Sequence, residues 1–90
     1  MTPLASPVAS ARVLLTGGTG TFGQAFARYA LDAGALAVVI VSRSESKQAA
    51  MASSFGYDPR LRFAIGDVRD ATRMLDAMRG VDICVHAAAL

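Results

Sequence analysis

Several residue types that build catalytic and metal sites are scarce in this chain, which has one cysteine and one histidine in 90 residues. The single cysteine, Cys84, excludes an internal disulfide and argues against a metal site built from thiolates. It lies in an apolar run, which favours a buried thiol with a structural role. No apolar run approaches the ~18 residues of a membrane span. We therefore expect neither a disulfide scaffold nor a membrane protein.

Charge is also scarce, since charged residues make up 18% of the chain and the net charge is +2. The basic residues are scattered, so the sequence indicates neither a nucleic-acid surface nor a membrane surface. Residues 1–11 lack the basic and apolar regions of a signal peptide, and the cytoplasm is the default location. Pro3, Pro7 and their small neighbours are typical of a disordered lead-in, so we place the domain at 12–90.

No histidine or tyrosine of the sequence stands at a spacing that predicts a proton-transfer site. Neither Tyr29 nor Tyr57 has a lysine four residues later, because Lys47 is the only lysine. The only histidine, His86, has no acid or nucleophile at a matching spacing, which favours a hydrogen-bonded packing residue over a base. We assign no catalytic residue and no metal ligand, and we expect the chain alone to be inactive.

What the chain does contain is a glycine-rich stretch, V-L-L-T-G-G-T-G-T-F-G, from Val13 to Gly23. Gly17, Gly20 and Gly23 stand between an apolar strand pattern and an amphipathic helix pattern. In that context the first glycine permits a tight turn, the second lets backbone N–H groups approach a pyrophosphate, and the third lets the helix pack closely. The alternative is an ordinary glycine-rich loop between two core elements. The further strand–helix units behind it favour the dinucleotide interpretation.

The remaining chain alternates strand and helix patterns without a hairpin signal. We predict strands at 12–16, 36–41, 61–65 and 81–85. The first helix should begin near Phe22 and end at Gly34. The second should begin at Ser42, which has capping-box spacing to Glu45, and the third should begin near Ala71. This order predicts a Rossmann-like α/β fold, a partial doubly wound parallel sheet of four strands in the order 3-2-1-4 with helices on both faces. The fourth strand lacks an outer neighbour, so we expect the chain to be the first part of a longer domain.

Ligands of such sheets bind at the carboxyl ends of the strands. An NAD site usually has an acid after the second strand, but here Ser42 and Arg43 stand there instead. A guanidinium can pair with the 2′-phosphate of NADP, and Lys47 can add a second charge. We therefore predict NADP, the alternative being a solvated arginine in a loop.

The third and fourth strand ends offer further candidates. Asp67 can accept from an adenine amino group while Val68 packs on the ring, or Asp67 can be the N-cap of the third helix with Asp70 in its first turn. These two roles stay equally open. After the fourth strand, Ala87 and Ala88 are small enough for a ribose and nicotinamide to lie against the backbone.

Five segments together resemble the N-terminal part of the extended short-chain dehydrogenase/reductases. They are T-G-G-T-G-T-F-G from Thr16, S-R-S-E-S-K-Q from Ser42, D-P-R-L-R-F from Asp58, G-D-V-R-D from Gly66 and V-H-A-A-A-L from Val85. Within that superfamily the chain is most similar to the polysaccharide-biosynthesis group that dehydrates UDP-N-acetylglucosamine. Ser44 and Ser46 depart from the Asp and Leu that this group often has.

The resemblance implies the NADP-binding part of a nucleotide-sugar 4,6-dehydratase, a lyase of surface polysaccharide or glycan biosynthesis. Such enzymes hold NADP permanently, oxidise C4 of the sugar, eliminate water across C5 and C6, and return the hydride. The group's catalytic Tyr/Lys pair and sugar-binding domain follow past position 90, so binding of a UDP-sugar would require that further part. The alternative is a non-catalytic NADP-binding regulatory module of the same fold. The sugar nucleotide and the oligomeric state stay open.

The resemblance also implies which residues contact the cofactor. They are Gly17, Gly20, Thr21, Phe22, Gly23, Arg43, Ser44, Glu45, Lys47, Gln48, Asp67, Val68, Ala87 and Ala88.

Overall fold

The computed structural model describes residues 7–17, 19–67 and 69–87. The elements are β1 (Arg12–Thr16), α1 (Thr21–Asp32), β2 (Ala37–Ser42), α2 (Glu45–Ser54), β3 (Leu61–Ile65), α3 (Ala71–Ala77) and β4 (Ile83–His86). The four strands form one sheet in the order β3-β2-β1-β4, and every strand pair is parallel. The predicted Rossmann-like fold is therefore confirmed. Within the described ranges no helix is long and apolar enough to span a bilayer.

β1 lies at the centre of the sheet and is covered on both faces. Leu14 pairs with Val39 of β2 on one side and with Cys84 of β4 on the other. Val13, Leu14 and Leu15 are fully buried. An apolar run without alternation is what a central parallel strand requires, because each face packs against other elements.

One face of the sheet carries the main core, which α1 and α2 cover. Leu15 and Ile40 lie side by side on this face and are fully buried. Ala27 and Ala30 of α1 join the same core, as does Met51 of α2. Alanine at the inward positions of α1 permits a close approach of the helix to β1 and β2.

α3 lies on the opposite face of the sheet. Ala64 of β3 pairs with Val41, one position along from the residues that face the main core, so its side chain points away from that core. A cavity of about 400 Å³ is lined by Ala64 together with Thr72 and Ala77 of α3. Helices therefore cover both faces, as predicted.

Gly34 ends α1, as the sequence predicts. Its φ of +94° lies in the left-handed region that favours glycine. The N–H of Gly34 donates to the carbonyl of Leu31 at 3.1 Å, and the N–H of Ala35 donates to that of Ala30 at 3.0 Å. This pair of bonds is the Schellman arrangement, which satisfies two of the last helical carbonyls.

The residues before β1 pack against the C-terminal end of α1. Residues 7–11, which belong to the expected disordered lead-in, form a turn in which Val8 is buried in the core. The N–H of Ser10 donates to the carbonyl of Gly34 at 2.9 Å. Residues 1–6 lie outside the described residues, and the domain boundary at 12 stays a prediction.

The predicted start of α2 is wrong by two residues. Ser44, not Ser42, is the N-cap, and its Oγ accepts from the N–H of Lys47 at 3.2 Å. Ser42 is the last residue of β2, where it pairs with Ile65. Pairing within the sheet holds Ser42 in extended backbone and so leaves the capping position to the next serine.

The predicted burial of Cys84 is also wrong, because the thiol is exposed. β4 is the edge strand next to β1, and it spans Ile83–His86 rather than 81–85. Cys84 pairs with Leu14, so it points away from the face that carries the main core, whereas Ile83 and Val85 pack against that core. An apolar run at a sheet edge is buried on one side only.

Truncating a core leucine should test this packing. Leu15→Ala leaves a cavity where a fully buried side chain lies between sheet and helix. We expect a loss of about 2–5 kcal/mol in the free energy of unfolding, measured by urea denaturation followed by circular dichroism. Leu36→Ala is the matched control, since Leu36 is 52% exposed. Equal losses for the two variants would contradict the assigned core.

Candidate functional site

The carboxyl ends of the strands form one rim. The N–H of Gly17 donates to the carbonyl of Val41 at 3.0 Å, that of Gly66 to Ser42 at 2.9 Å, and that of Ala87 to Thr16 at 2.9 Å. These bonds continue the parallel ladder one residue past β1, β3 and β4. The segments that carry the predicted site residues therefore begin at the same edge of the sheet.

The glycine turn leads from β1 directly into α1. Gly17 has a φ of +68°, which L-residues with a side chain rarely adopt. Its carbonyl accepts from the N–H of Gly20 at 3.3 Å. Gly20 is the N-cap of α1, and none of the described side chains caps this end. Helix geometry leaves the first N–H groups without an acceptor in the helix, and the helix dipole gives them a partial positive charge. This end of α1 has the donors that bind an anion.

Gly20 is not required by the fold itself. Its φ of −78° suits any residue. A Cβ built on Gly20 would have the carbonyl oxygen of Gly17 as its nearest described neighbour, at an ordinary 3.7 Å. The space that the absent side chain leaves open lies at the N-terminal end of α1. Thr21 and Phe22 are exposed in the first turn, whereas Gly23 is buried.

Arg43 follows β2 at this rim and is largely free to move toward a ligand. Its side chain is 75% exposed, and its Nη1 lies 3.8 Å from Oδ2 of Asp67. Asp67 stands after β3, the neighbour of β2. The structure therefore brings together two predicted site residues from adjacent strand ends, and the cation is the more exposed of the two.

Asp67 is held chiefly by Arg69, a residue for which the sequence predicts no role in the site. Oδ1 accepts from the backbone N–H of Arg69 at 2.9 Å and from its Nε at 3.1 Å, and Oδ2 accepts from its Nη2 at 2.7 Å. These hydrogen bonds, with a smaller contribution from the charge of Arg43, hold the pKa of Asp67 well below its usual range. The D-x-R spacing was the only signal in the sequence for this pair.

Asp67 is not the N-cap of α3. Its carbonyl accepts from the N–H of Asp70 at 2.9 Å, which closes a turn, and α3 begins later, at Ala71. No acidic residue stands in the first turn of α3, so Asp70 precedes the helix instead of lying in it. Because α3 begins only at Ala71, the capping role of Asp67 is excluded. Contact with adenine stays a prediction.

The start of α2 brings further predicted residues to the rim. Ser44 caps the helix, and Glu45 stands in its first turn, where a negative charge is favourable. Lys47 is exposed. The capping bond from Ser44 satisfies one of the N–H groups of α2, so this helix end offers fewer free donors than that of α1.

Gln48 is buried, with 6% of its surface exposed. Its Nε2 donates to Oγ of Ser42 at 2.9 Å and to the carbonyl of Ala64 at 3.0 Å. Both amide hydrogens are therefore used in joining α2 to the ends of β2 and β3. A direct bond from Nε2 to a cofactor would break this arrangement, and the cofactor role of Gln48 stays a prediction.

The fourth strand end is joined to the first by a side-chain hydrogen bond. Oγ1 of Thr16 and Nδ1 of His86 lie 2.7 Å apart, and Thr16 is fully buried. The expectation that His86 is hydrogen-bonded is confirmed, although the residue is exposed. Ala87 follows at the rim and is half-buried. Val68 and Ala88, two predicted contacts, lie outside the described residues.

The family follows from comparison with known proteins. A family model described as polysaccharide biosynthesis protein matches residues 13–90. The chain belongs to this family. The membership of a polysaccharide-biosynthesis family, inferred from the five segments, is thereby confirmed.

Two curated relatives show the range of activities among similar proteins. The chain is 47% identical over 79 residues to UDP-N-acetylglucosamine 4,6-dehydratase (inverting) of Campylobacter jejuni. This match covers 87% of the chain and 23% of that protein. It is 43% identical over 82 residues to UDP-glucose 4-epimerase of Rickettsia bellii, covering 87% of the chain and 24% of that protein. The chain thus spans about a quarter of the length of these relatives.

Solved structures of similar fold include Pen from Bacillus thuringiensis, with a TM-score of 0.87 and 33% identity over 92% of the chain and 27% of that protein. The Bordetella bronchiseptica enzyme WbmF, solved in complex with NAD+ and UDP, matches with a TM-score of 0.73 and 22% identity. That match covers 90% of the chain and 23% of WbmF. The likeness to WbmF supports the fold.

Replacing the buried amide of Gln48 should test whether it joins α2 to the ends of β2 and β3. Gln48→Met keeps the length of the side chain but leaves the acceptors on Ser42 and Ala64 without their donor. We expect a loss of about 1–3 kcal/mol in the free energy of unfolding, measured by chemical denaturation. Ala49→Met, on the exposed side of the same helix, is the matched control. A loss no larger than that of the control would mean that the amide is not required.

Proposed function

We propose that this chain is the NADP-binding part of a nucleotide-sugar 4,6-dehydratase of the UDP-N-acetylglucosamine type, acting in the cytoplasm in surface polysaccharide or glycan biosynthesis. The observation that carries the proposal is the rim itself. It combines an uncapped helix end at Gly20 with an exposed guanidinium, that of Arg43, at the adjacent strand end. The 47% sequence identity to the Campylobacter jejuni dehydratase supports UDP-N-acetylglucosamine as the substrate.

The donor set of the rim fits a dinucleotide. The free N–H groups at the start of α1 suit a pyrophosphate, and the missing Cβ of Gly20 leaves room for it to approach. Arg43 and Lys47 are exposed cations that suit the extra 2′-phosphate of NADP. Ala87, at the end of β4, adds little bulk where the nicotinamide half would lie. When bound, the cofactor supplies reversible hydride transfer.

NADP is favoured over NAD by the charge after β2. A site for NAD usually has a carboxylate there, which hydrogen-bonds the ribose hydroxyls and repels a phosphate. Here the position is occupied by Arg43, whose guanidinium can form two hydrogen bonds with a phosphate. WbmF is known with NAD+ and shares the fold, so NAD is the alternative that must be tested.

A UDP-glucose 4-epimerase activity is the second candidate, because the Rickettsia bellii epimerase is 43% identical to the chain. Both activities need the same cofactor rim. They differ in the product, which is a 4-keto-6-deoxy sugar for the dehydratase and a 4-epimer for the epimerase. A non-catalytic NADP-binding regulator is the third candidate, and it would give neither product.

Removal of the Arg43 guanidinium tests the preference for NADP over NAD. Arg43→Ala should weaken NADP binding by about 5- to 150-fold, which corresponds to 1–3 kcal/mol of charge-assisted hydrogen bonding, and should spare NAD. Isothermal titration of both cofactors against both proteins measures this. Arg79→Ala is the control, because Arg79 is an 84% exposed arginine that follows α3 and lies beside Asp76. An equal loss for NADP and NAD would show that Arg43 does not read the 2′-phosphate.

The catalytic prediction is negative for the chain as it stands. Elimination from the sugar needs a positioned acid and base, and no tyrosine of the chain has a lysine four residues later. We therefore expect no 4-keto-6-deoxy product when the purified chain is incubated with NADP and UDP-N-acetylglucosamine and the sugar nucleotides are followed by NMR. UDP-glucose serves as the parallel substrate for the epimerase. Turnover of either sugar above the protein-free control would require a catalytic group that we have not assigned.

A further inference from the structure

We infer that Arg69 is a positioning residue for cofactor choice: by holding the Asp67 carboxylate, it keeps the guanidinium of Arg43 free for a 2′-phosphate. The inference rests on the proposed function, since it assumes that the rim binds a nicotinamide dinucleotide. Nothing in the resemblance to the family assigns a role to Arg69. The contacts of three residues, Arg43, Asp67 and Arg69, carry the argument.

The two arginines do not share Asp67 equally. Arg69 donates from its backbone N–H, its Nε and its Nη2 at 2.9, 3.1 and 2.7 Å. Arg43 approaches the same carboxylate only to 3.8 Å, which is beyond hydrogen-bond distance. Asp67 therefore attracts Arg43 by charge without using its N–H donors.

The acceptor capacity of Asp67 explains this difference. A carboxylate has about four lone-pair sites. The Nε of Arg69 reaches both oxygens, at 3.1 Å to Oδ1 and 3.2 Å to Oδ2, and each oxygen accepts one further bond from Arg69. Little capacity is left for a second guanidinium. Arg43 thus stays near the rim, with 75% of its side chain exposed, while its donors remain available.

The charges lead to the same conclusion. Asp67 with Arg43 and Arg69 carries a net charge of +1, from two guanidiniums and one carboxylate. Without Arg69 the net charge of the cluster is zero, and Asp67 has Arg43 as its remaining cationic partner among the described side chains. Asp67 would then draw the donors of Arg43 to itself, and its own charge would oppose a phosphate.

The test is a change in cofactor ratio. Arg69→Gln in the full chain should weaken NADP binding about two- to fivefold, the upper range of coupling for partly exposed charge pairs, while NAD binding stays the same. Isothermal titration with NADP and with NAD gives the ratio of the two dissociation constants. Arg79→Gln is the matched control, since Arg79 pairs with Asp76 at 3.6 Å and is similarly exposed, at 84% against 79% for Arg69.

Two further measurements distinguish positioning from a purely structural role. The pKa of Asp67, followed by carboxyl-carbon NMR, should rise toward its ordinary value in Arg69→Gln and stay unchanged in Arg79→Gln. In an Asp67→Asn background, the Arg69→Gln substitution should no longer change the NADP-to-NAD ratio, because no carboxylate remains to be held. An unchanged ratio in the single variant, or an equal change in the Asp67→Asn background, overturns the inference.

Failure of the proposed function would look different. If the unsubstituted chain binds NADP no better than NAD, the assignment of Arg43 to the 2′-phosphate is wrong. The inference about Arg69, which rests on that assignment, is then wrong as well. If the unsubstituted chain prefers NADP and Arg69→Gln keeps that preference with a raised Asp67 pKa, Arg43 reads the phosphate without help from Arg69. In that case the proposed function stands and the inference about Arg69 is wrong.

Discussion

The site depends on the way the parallel ladder continues past the ends of its strands. In a parallel sheet each strand runs in the same direction, so all carboxyl ends meet at one edge. Here three backbone hydrogen bonds from Gly17, Gly66 and Ala87 extend the pairing by one residue beyond β1, β3 and β4. They set where each loop leaves the sheet, and the side chains of the rim take their positions from these exits.

Much of the fold could be predicted because parallel sheets leave a strong local pattern. β1 and β3 begin and end at the predicted residues, since β1 is a short apolar run, β3 alternates apolar and other residues, and turn residues follow both. The errors arose where a tertiary contact decided the outcome. In sequence Ser42 has the capping-box spacing to Glu45, and pairing with Ile65 keeps Ser42 in the strand instead. Cys84 resembles its buried neighbours until its place on an edge strand is known.

The site was predictable in its position and less so in its contacts. Topology alone puts Gly17 and Arg43 at the same edge, because each follows a parallel strand. Topology does not predict which arginine donates hydrogen bonds to the Asp67 carboxylate, and in the structure the donor is Arg69. It also does not show that the amide of Gln48 is used up by Ser42 and Ala64. The approach of Arg43 to Asp67 and the bond from Gln48 to Ala64 depend on distances between segments far apart in the chain, which residue types within one segment do not encode.

The two helices that start at the rim differ in a way that matters for anion binding. α2 is capped by Ser44, whose Oγ takes an N–H of the first turn, whereas α1 begins at Gly20 without a side-chain cap. Glycine in place of a capping side chain costs only a few tenths of a kcal/mol. In return no described side chain takes the donors of α1, and no Cβ of residue 20 stands in their way. Charge-assisted hydrogen bonds are worth about 1.5–3 kcal/mol each, so even one such bond to a phosphate outweighs the missing cap. The helix that lacks its own cap is therefore the one suited to take a phosphate as its cap, while α2 contributes through its side-chain charges.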